Sequence, residues 1–429
     1  MEKRLYTQIN EMIYEYDHNS GLHVQIIPKR NFSKKFAVLT VDFGSVDTEF
    51  IVPGEEEKTK VPQGIAHFLE HKLFEQEKTD VLERFAQLGA SANAATGYSR
   101  TYYYFTATEN FYDCFDLLLY FVFNPYFTKE NVEKEKGIIA QEINMYTDNP
   151  YYVSSINLQK ALFFVNPVRE DIAGSVEDIM SIDVEMINKT YNAFYKPSNM
   201  SLVVVGDVDP DDVQQFVNKA MVNFDKKEIT VKSGWTEPKN INIPRIEEKM
   251  EVSMPLFSIG FKDDNTLFTG IERVRRDIAG TILSNVLFGT TSEFYEEMYN
   301  KGLINQSFNA VYEIERDYAL FSISGESDNV DEIISEIKKY IRKVNEEGIS
   351  EEEFYMIRNS MEGEMIKTFN SPEAIGKIFG RLYLQGVSGF DYFLSCGTIT
   401  YQEVINVFKS VLLGDMAISI INKQEDCDD

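Results

Sequence analysis

Apolar positions follow two rhythms along the chain, and the rhythms come in the same order twice. In the first half a continuous apolar run, FAVLTVDFG (36–44), predicts a buried strand, followed by a helical stretch containing HFLEH (67–71) and a second helix, DVLERFAQLG (80–89). ASANAATGYSRTYYYFTAT (90–108) reads as paired strands. Helical spacing returns in YDCFDLLLYFVF (112–123) and, past the turn NPYFTKENV, in EKEKGIIAQEINMY (133–146). The second half predicts a strand at PLFSIGFK (255–262), helices at RDIAGTILSNVLFG (276–289) and SEFYEEMYNKG (292–302), and paired strands at INQSFNAVYEI and YALFSISGE. Helices at VDEIISEIKKYI and YMIRNSMEGEM complete the repeat.

Short matches align the halves: LGASANA with KGLINQS, and YYYFTATENFYDCFDLLL with YALFSISGESDNVDEIIS. An internal duplication accounts for both the order and the matches. KPSNMSLVVVGDVDPDDV (196–213) closes the first half with a buried strand and a helix start, and the polar stretch 223–249 reads as the linker. The boundary falls near residue 235, so one domain is expected over 1–235 and another over 236–429, in an α+β fold.

Composition agrees with more than one core: 429 residues exceed what a single core usually serves, and 43% are apolar. The net charge of −27 argues against nucleic acid or an anionic membrane as a partner; its simplest meaning is solubility, and a preference for basic substrates is the other reading. Cys114, Cys396 and Cys427 are too scattered for a disulfide framework or a cysteine metal site. The N-terminal stretch has no continuous apolar run of an export signal, and LLLYFVF (117–123) is far short of a spanning helix. A soluble cytoplasmic protein is expected, ending in a solvated tail, KQEDCDD.

The one unusual cluster is HFLEH, which holds two of only four histidines. On a helix His67, Glu70 and His71 share a face, so two imidazoles can hold one metal ion while a carboxylate reaches a water beside it. A catalytic zinc normally takes three protein ligands. His18 and His23 read as surface or strand-end residues. The helix over 132–146 is more informative, because its apolar stripe at Val132, Ile139 and Tyr146 is interrupted by Glu135 and Glu142. Metal coordination by Glu142, with Glu135 bonded to a ligand histidine, would satisfy both carboxylates; a solvent-facing, glutamate-rich helix is the other reading. Aligning LFE (73–75) with LFG (287–289) sets HFLEH against Thr281, Ile282, Leu283, Ser284 and Asn285, so the scaffold itself does not demand the histidines.

GIAHFLEHKLFE (64–75), VEKEKGIIAQEINMYTDNP (132–150) and YKPSNMSLVVVGDVD (195–209) together resemble the M16 metallopeptidases, the inverzincin family of pitrilysin, insulin-degrading and mitochondrial processing peptidases, and within it a bacterial YmfH-like branch. The resemblance spans almost the whole chain. It implies two similar LuxS/metalloenzyme-like domains, each a mostly antiparallel sheet with helices packed on it. It further implies a zinc metalloendopeptidase acting on peptides or short unfolded polypeptides, with one zinc ion held by His67, His71 and Glu142, Glu70 as general base and Glu135 behind a ligand histidine. The segment 89–99 suits an edge strand that takes up a peptide by strand addition, with Asn93 and Ala94 at the positions that border substrate in the family; close packing of small residues is its other reading.

Active members of the family carry in the second half an Arg followed seven residues later by a Tyr, at the substrate carbonyl and oxyanion. Here MYNKGLIN (298–305) puts Met298 and Asn305 at those positions, while Arg316 and Tyr318 lack the spacing and read as surface residues. The expected partner, besides a peptide substrate, is therefore a zinc-less M16 homologue that supplies the Arg and Tyr in a heterodimer. A non-catalytic subunit that keeps zinc for structure or peptide binding is the alternative, and the intact Glu70 argues against it.

Overall fold

The computed structural model describes residues 1–7, 9–77, 80–264 and 268–424; Cys427 and the last residues of the expected tail lie outside them. Two compact units emerge. One comprises Met1–Ile143, Asp171–Ser233 and Met365–Phe390, and the other Asn144–Glu170, Gly234–Glu364 and the chain from Asp391 onward.

The first unit is built on a sheet of seven strands in the spatial order Glu2–Tyr6, Glu11–Asp17, His23–Pro28, Met200–Gly206, Lys35–Val41, Thr101–Ala107, Ser91–Thr96. All neighbours are antiparallel except His23–Pro28 with Met200–Gly206. The second unit has five strands in the order Arg245–Met250, Met416–Lys423, Leu256–Lys262, Ala319–Glu326, Asn309–Ile314, and only its first pair is parallel. These five repeat the last five of the first sheet in order and direction, so the duplication is visible in topology. The fold is α+β with antiparallel-rich sheets.

The central strand Met200–Gly206 is buried at every position, as its valine-rich sequence suits. Alternation sorts its neighbour Lys35–Val41: Ala37, Leu39 and Val41 join the core formed with Phe68, Leu69, Phe115 and Leu118, whereas the helix Pro372–Leu384 covers the other face of these two strands. In the second unit Pro150–Leu162 covers Met416–Lys423 and Leu256–Lys262. Each unit therefore receives one helix from the opposite half of the chain.

The stretch 223–249 is not wholly a linker. Val231–Lys232 pairs with Glu49–Ile51, and Arg245–Met250 is an edge strand whose residues are mostly exposed. Its charges protect a sheet edge, which is why it reads as polar connection. No helix among the described residues is long and apolar enough to cross a membrane.

Candidate metal centre

The helix Ile65–Phe74 begins at Gly64, whose φ of +81° an L side chain resists and whose Cβ would meet the Ala173 carbonyl oxygen at 2.1 Å. Ile65, Ala66, Phe68, Leu69 and Leu73 face the core, which turns His67, Glu70 and His71 the other way. The facing helix, Lys129–Thr147, starts where Thr128 and Asn131 exchange hydrogen bonds: the Thr128 N–H donates to Asn131 Oδ1 at 2.9 Å, and the Asn131 N–H to Thr128 Oγ1 at 3.1 Å.

Glu142 on that helix reaches both imidazoles, with Oε1 3.8 Å from His67 Nε2 and Oε2 3.4 Å from His71 Nε2. Glu135, seven residues earlier, lies behind His71 instead, accepting from Nδ1 at 3.1 Å. An ionised Glu135 only accepts, so Nδ1 carries a proton, and in the neutral ring the Nε2 lone pair faces Glu142. The other oxygen of Glu135 accepts from Lys72 Nζ at 3.3 Å, and Lys72 also pairs with Glu75. Lys72 is fully buried. Glu70 turns toward the edge strand Ser91–Thr96, where Thr96 Oγ1 donates to its Oε2 at 2.6 Å.

The electrostatics follow from these contacts. Burial, and then the neighbouring His71, hold His67 below its ordinary value, so its imidazole is neutral. Burial also works against a charged His71, but the Glu135 hydrogen bond and the surrounding carboxylates outweigh it and raise its value. For Glu135 burial is again opposed, here by hydrogen bonds from His71 and Lys72, and the carboxyl titrates below its ordinary range. Glu70 is raised by burial, with the Thr96 bond limiting the rise.

One atom each from His67, His71 and Glu142 lies within 4.8 Å of the other two. Two imidazole nitrogens and one carboxylate are the donor set of a catalytic zinc site that keeps a position open. The Nδ1 of His67 is buried without a hydrogen bond among the described residues, so the ring's exposed chemistry is its Nε2, on the side of the cluster. These residues fit a zinc ion.

Asn93 is exposed and Ala94 is buried on the outermost strand of the sheet, and Asn93 Oδ1 accepts the Ala94 N–H at 2.8 Å. In the second unit Met298 is 1% exposed, so its side chain is core. Asn305 donates through Nδ2 to Glu326 Oε2 at 2.8 Å. Arg316 pairs with Asp317 at a hairpin turn, but Tyr318, just ahead of the return strand Ala319–Glu326, is buried rather than on the surface. His23 is a strand-end residue, opening His23–Pro28, but it is buried rather than on the surface: it stacks on Tyr383 with centroids 3.5 Å apart and holds Asp17 Oδ1 at 2.7 Å from Nδ1.

Lys72 and Thr96 are the neighbours of the site that sequence reasoning passed over. Lys72 carried a signal, since it occupies the apolar stripe one turn after Phe68. Thr96 had none beyond its place on a period-two segment.

The family description Insulinase (Peptidase family M16) matches residues 50–176, and Peptidase M16 inactive domain matches residues 181–361. The uncharacterized zinc protease YmfH of Bacillus subtilis strain 168 is 37% identical over 96% of this chain and 96% of its own length. The crystal structure of an M16-like peptidase from Alicyclobacillus acidocaldarius superposes with a TM-score of 0.92 at 31% identity, covering 96% of this chain and 99% of that one. Pitrilysin shares the fold at 16% identity and a TM-score of 0.75, over 98% of this chain and 46% of its own. With the histidine pair, the facing carboxylate and near full-length similarity to a zinc protease in hand, the chain belongs to the M16 family of peptidases.

Proposed function

We propose that the chain is a zinc-dependent endopeptidase for peptides or short unfolded polypeptides, with the chemistry carried by residues 1–235 and a metal-free counterpart over 236–429. The observation that carries this reading is the convergence of His67, His71 and Glu142, with Glu70 beside them. His67, His71 and Glu142 would hold the metal, and Glu135 would fix the tautomer of His71. The chemistry zinc supplies in such a donor set is polarisation of a carbonyl and acidification of water. Glu70, its basicity raised by burial, accepts the proton of an attacking water and returns it to the leaving nitrogen. Thr96 aims Glu70 from the same edge strand on which Asn93 and Ala94 would border an added peptide strand.

The second half offers the reacting carbonyl little. Met298 is core, and Asn305 directs its amide donor to Glu326. This supports a heterodimer in which a zinc-less M16 homologue supplies the Arg and Tyr. A cytoplasmic setting fits the scattered cysteines, of which Cys114 and Cys396 are free and buried.

The test is Glu70→Gln assayed with and without the partner. Zinc content and the fold should persist while hydrolysis falls on the order of a hundredfold or more. Turnover at the wild-type rate would remove Glu70 from its role. Stoichiometric zinc and peptide binding without cleavage by the wild-type pair would leave the non-catalytic reading instead.

A further inference from the structure

Half-buried carboxylates of the second unit are commonly matched with cations. Asp263 pairs with Arg276 at 2.7 Å, Glu403 with Arg275 at 2.7 Å, Glu237 with Lys262 at 2.8 Å, and Asp317 with Arg316 at 2.7 Å. Glu326, the last residue of the strand Ala319–Glu326, is treated differently. Its carboxylate takes a hydrogen bond from the Tyr151 hydroxyl on one oxygen and from Asn305 Nδ2 at 2.8 Å on the other. Its backbone N–H is fixed by Ser307 Oγ at 3.0 Å. Among the described residues it makes no ion pair.

Two neutral donors orient a carboxylate without neutralising it. An ionised carboxylate offers about four acceptor positions, and two are in use here. Glu326 also lines a solvent-open cavity of about 460 Å³ whose other walls are Tyr299, Asn305, Gln306 and Ser307, all uncharged. Tyr299 is 47% exposed, so its ring is available to a cation entering that space. A negative charge held in place, facing a cavity and lacking a counterion, is complementary to an ammonium or guanidinium group. The overall charge of −27 adds a field that draws cations.

We propose that Glu326, positioned by Tyr151 and Asn305 and flanked by Tyr299, forms a subsite for a cationic group of a bound peptide. This rests on the peptidase reading and deepens it, because it assigns a substrate preference to the unit without metal ligands. It also accounts for Asn305, whose amide orients a specificity-determining carboxylate. The cation is an Arg or Lys side chain or a free amino terminus, since all three present the same charge-assisted donors.

Binding is measured without turnover, in the zinc-loaded Glu70→Gln protein with and without the partner, by fluorescence anisotropy of labelled peptides of one length. The set contains an Arg peptide, its citrulline counterpart, a Lys peptide, its norleucine counterpart, and the neutral peptides with free and acetylated amino termini. The cationic member of one pair should bind roughly tenfold tighter than its neutral match, and the pair that shows the preference identifies the source of the cation. Glu326→Gln should bring that ratio near one while leaving affinity for the neutral peptide unchanged, and Glu326→Asp should retain part of it. Raising salt from low to high concentration should shrink the wild-type ratio, a check independent of any variant. Equal binding of charged and neutral peptides, or a preference that survives Glu326→Gln, overturns the subsite alone. Failure of every peptide to bind even with the partner present would overturn the peptidase reading with it.

Discussion

The helix Ile65–Phe74 lies by the edge strand Ser91–Thr96 of the first sheet, and the helix Gly270–Phe288 lies by the edge strand Asn309–Ile314 of the second. Their apolar stripes correspond position by position: Ile65, Ala66, Phe68, Leu69 and Leu73 against Ala279, Gly280, Ile282, Leu283 and Leu287, all buried. Their polar faces do not. Opposite His67, Glu70 and His71 stand Thr281, Ser284 and Asn285, which turn back on their own helix: Thr281 Oγ1 donates to the Asp277 carbonyl at 2.9 Å, Ser284 Oγ to that of Thr281 at 2.9 Å, and Asn285 Nδ2 to that of Thr281 at 2.8 Å. Such side chains are satisfied locally. His67, Glu70 and His71 instead depend on groups from other elements, and one further position shows what this requires. Lys72, buried between Glu135 and Glu75, stands where the second helix has Val286. The scaffold asks only for the stripe, and the candidate metal centre adds charges that need further charges in the core.

Making the first helix resemble the second should have the largest effect. His67→Thr with His71→Asn should abolish stoichiometric zinc, read by elemental analysis, and abolish zinc-dependent hydrolysis. The far-ultraviolet circular dichroism should remain that of the wild type, because the second unit carries these side chains on the same scaffold. Loss of the folded signal would show that the histidines are structural. A smaller effect is expected behind the ligands. Lys72→Met leaves Glu135 buried with one partner fewer, which should weaken zinc binding about tenfold and cost roughly 1–3 kcal/mol in denaturant unfolding. Adding Glu135→Met should recover stability but not zinc affinity, because a buried pair replaced by apolar groups is often neutral. If the double variant regains zinc affinity, Glu135 has no part in orienting His71.

The stripe was legible because it rests on spacing within one element, the repeat because the order of elements recurs, and the meeting of HFLEH with the helix over 132–146 because two carboxylates interrupt that helix's stripe and the family resemblance joins the two segments. The division between Glu135 and Glu142 came from the family resemblance rather than from spacing, since a seven-residue separation keeps both on one face and only the crossing point of the two helices decides which reaches the imidazoles. Lys72 shows the same anomaly as Glu135, a charge on an apolar stripe, and a motif reading passes over it because the motif names only its neighbours. The exchanged helix Pro150–Leu162 buries Ser154, Asn157 and Gln159 along with its apolar residues, so it displays no clean stripe. Arg245–Met250 was hidden by the charges that guard an edge.

A further contrast lies at the position before the motif. Ala66 is buried in the first helix, whereas a Cβ on its counterpart Gly280 would lie 2.1 Å from the Tyr312 ring. Tyr312 is held there by its hydroxyl bond to Asp263, which also takes two hydrogen bonds from Arg276. Gly280→Ala should therefore destabilise the second unit by about 1–3 kcal/mol through overpacking, despite the better helix propensity of alanine. Ala66→Gly should cost about 1 kcal/mol. A stabilising Gly280→Ala, measured by denaturant unfolding, would mean that the ring yields and the close approach is incidental.

The smallest effect concerns the exchanged helices, which the two units hold by different chemistry. In the first unit the segment around Pro372–Leu384 is fastened by rings: Tyr383 on His23, and Phe390 on Tyr6 with centroids 3.6 Å apart. In the second, the chain leaving Pro150–Leu162 is fastened by a carboxylate: Glu237 accepts the backbone N–H groups of Phe164, Val165 and Asn166 at 2.8 to 3.0 Å and the Lys262 ammonium at 2.8 Å. Burial works against the charge of Glu237, but the Lys262 bond and the three backbone bonds prevail and hold it below the ordinary carboxylate value of 4.5. A group whose value is depressed on folding stabilises the fold above its unfolded value and loses that contribution as pH falls through the folded one. The stabilisation from Glu237 should thus be complete at neutral pH and should drain away below about pH 4.5, by roughly 1–2 kcal/mol given its partial exposure. Unfolding followed from pH 7 to pH 3 should show a shallower pH dependence in Glu237→Gln than in wild type over the acid limb, with the two converging at the low end. Parallel curves would mean that the carboxylate is no anchor and that packing alone keeps Pro150–Leu162 in the second unit.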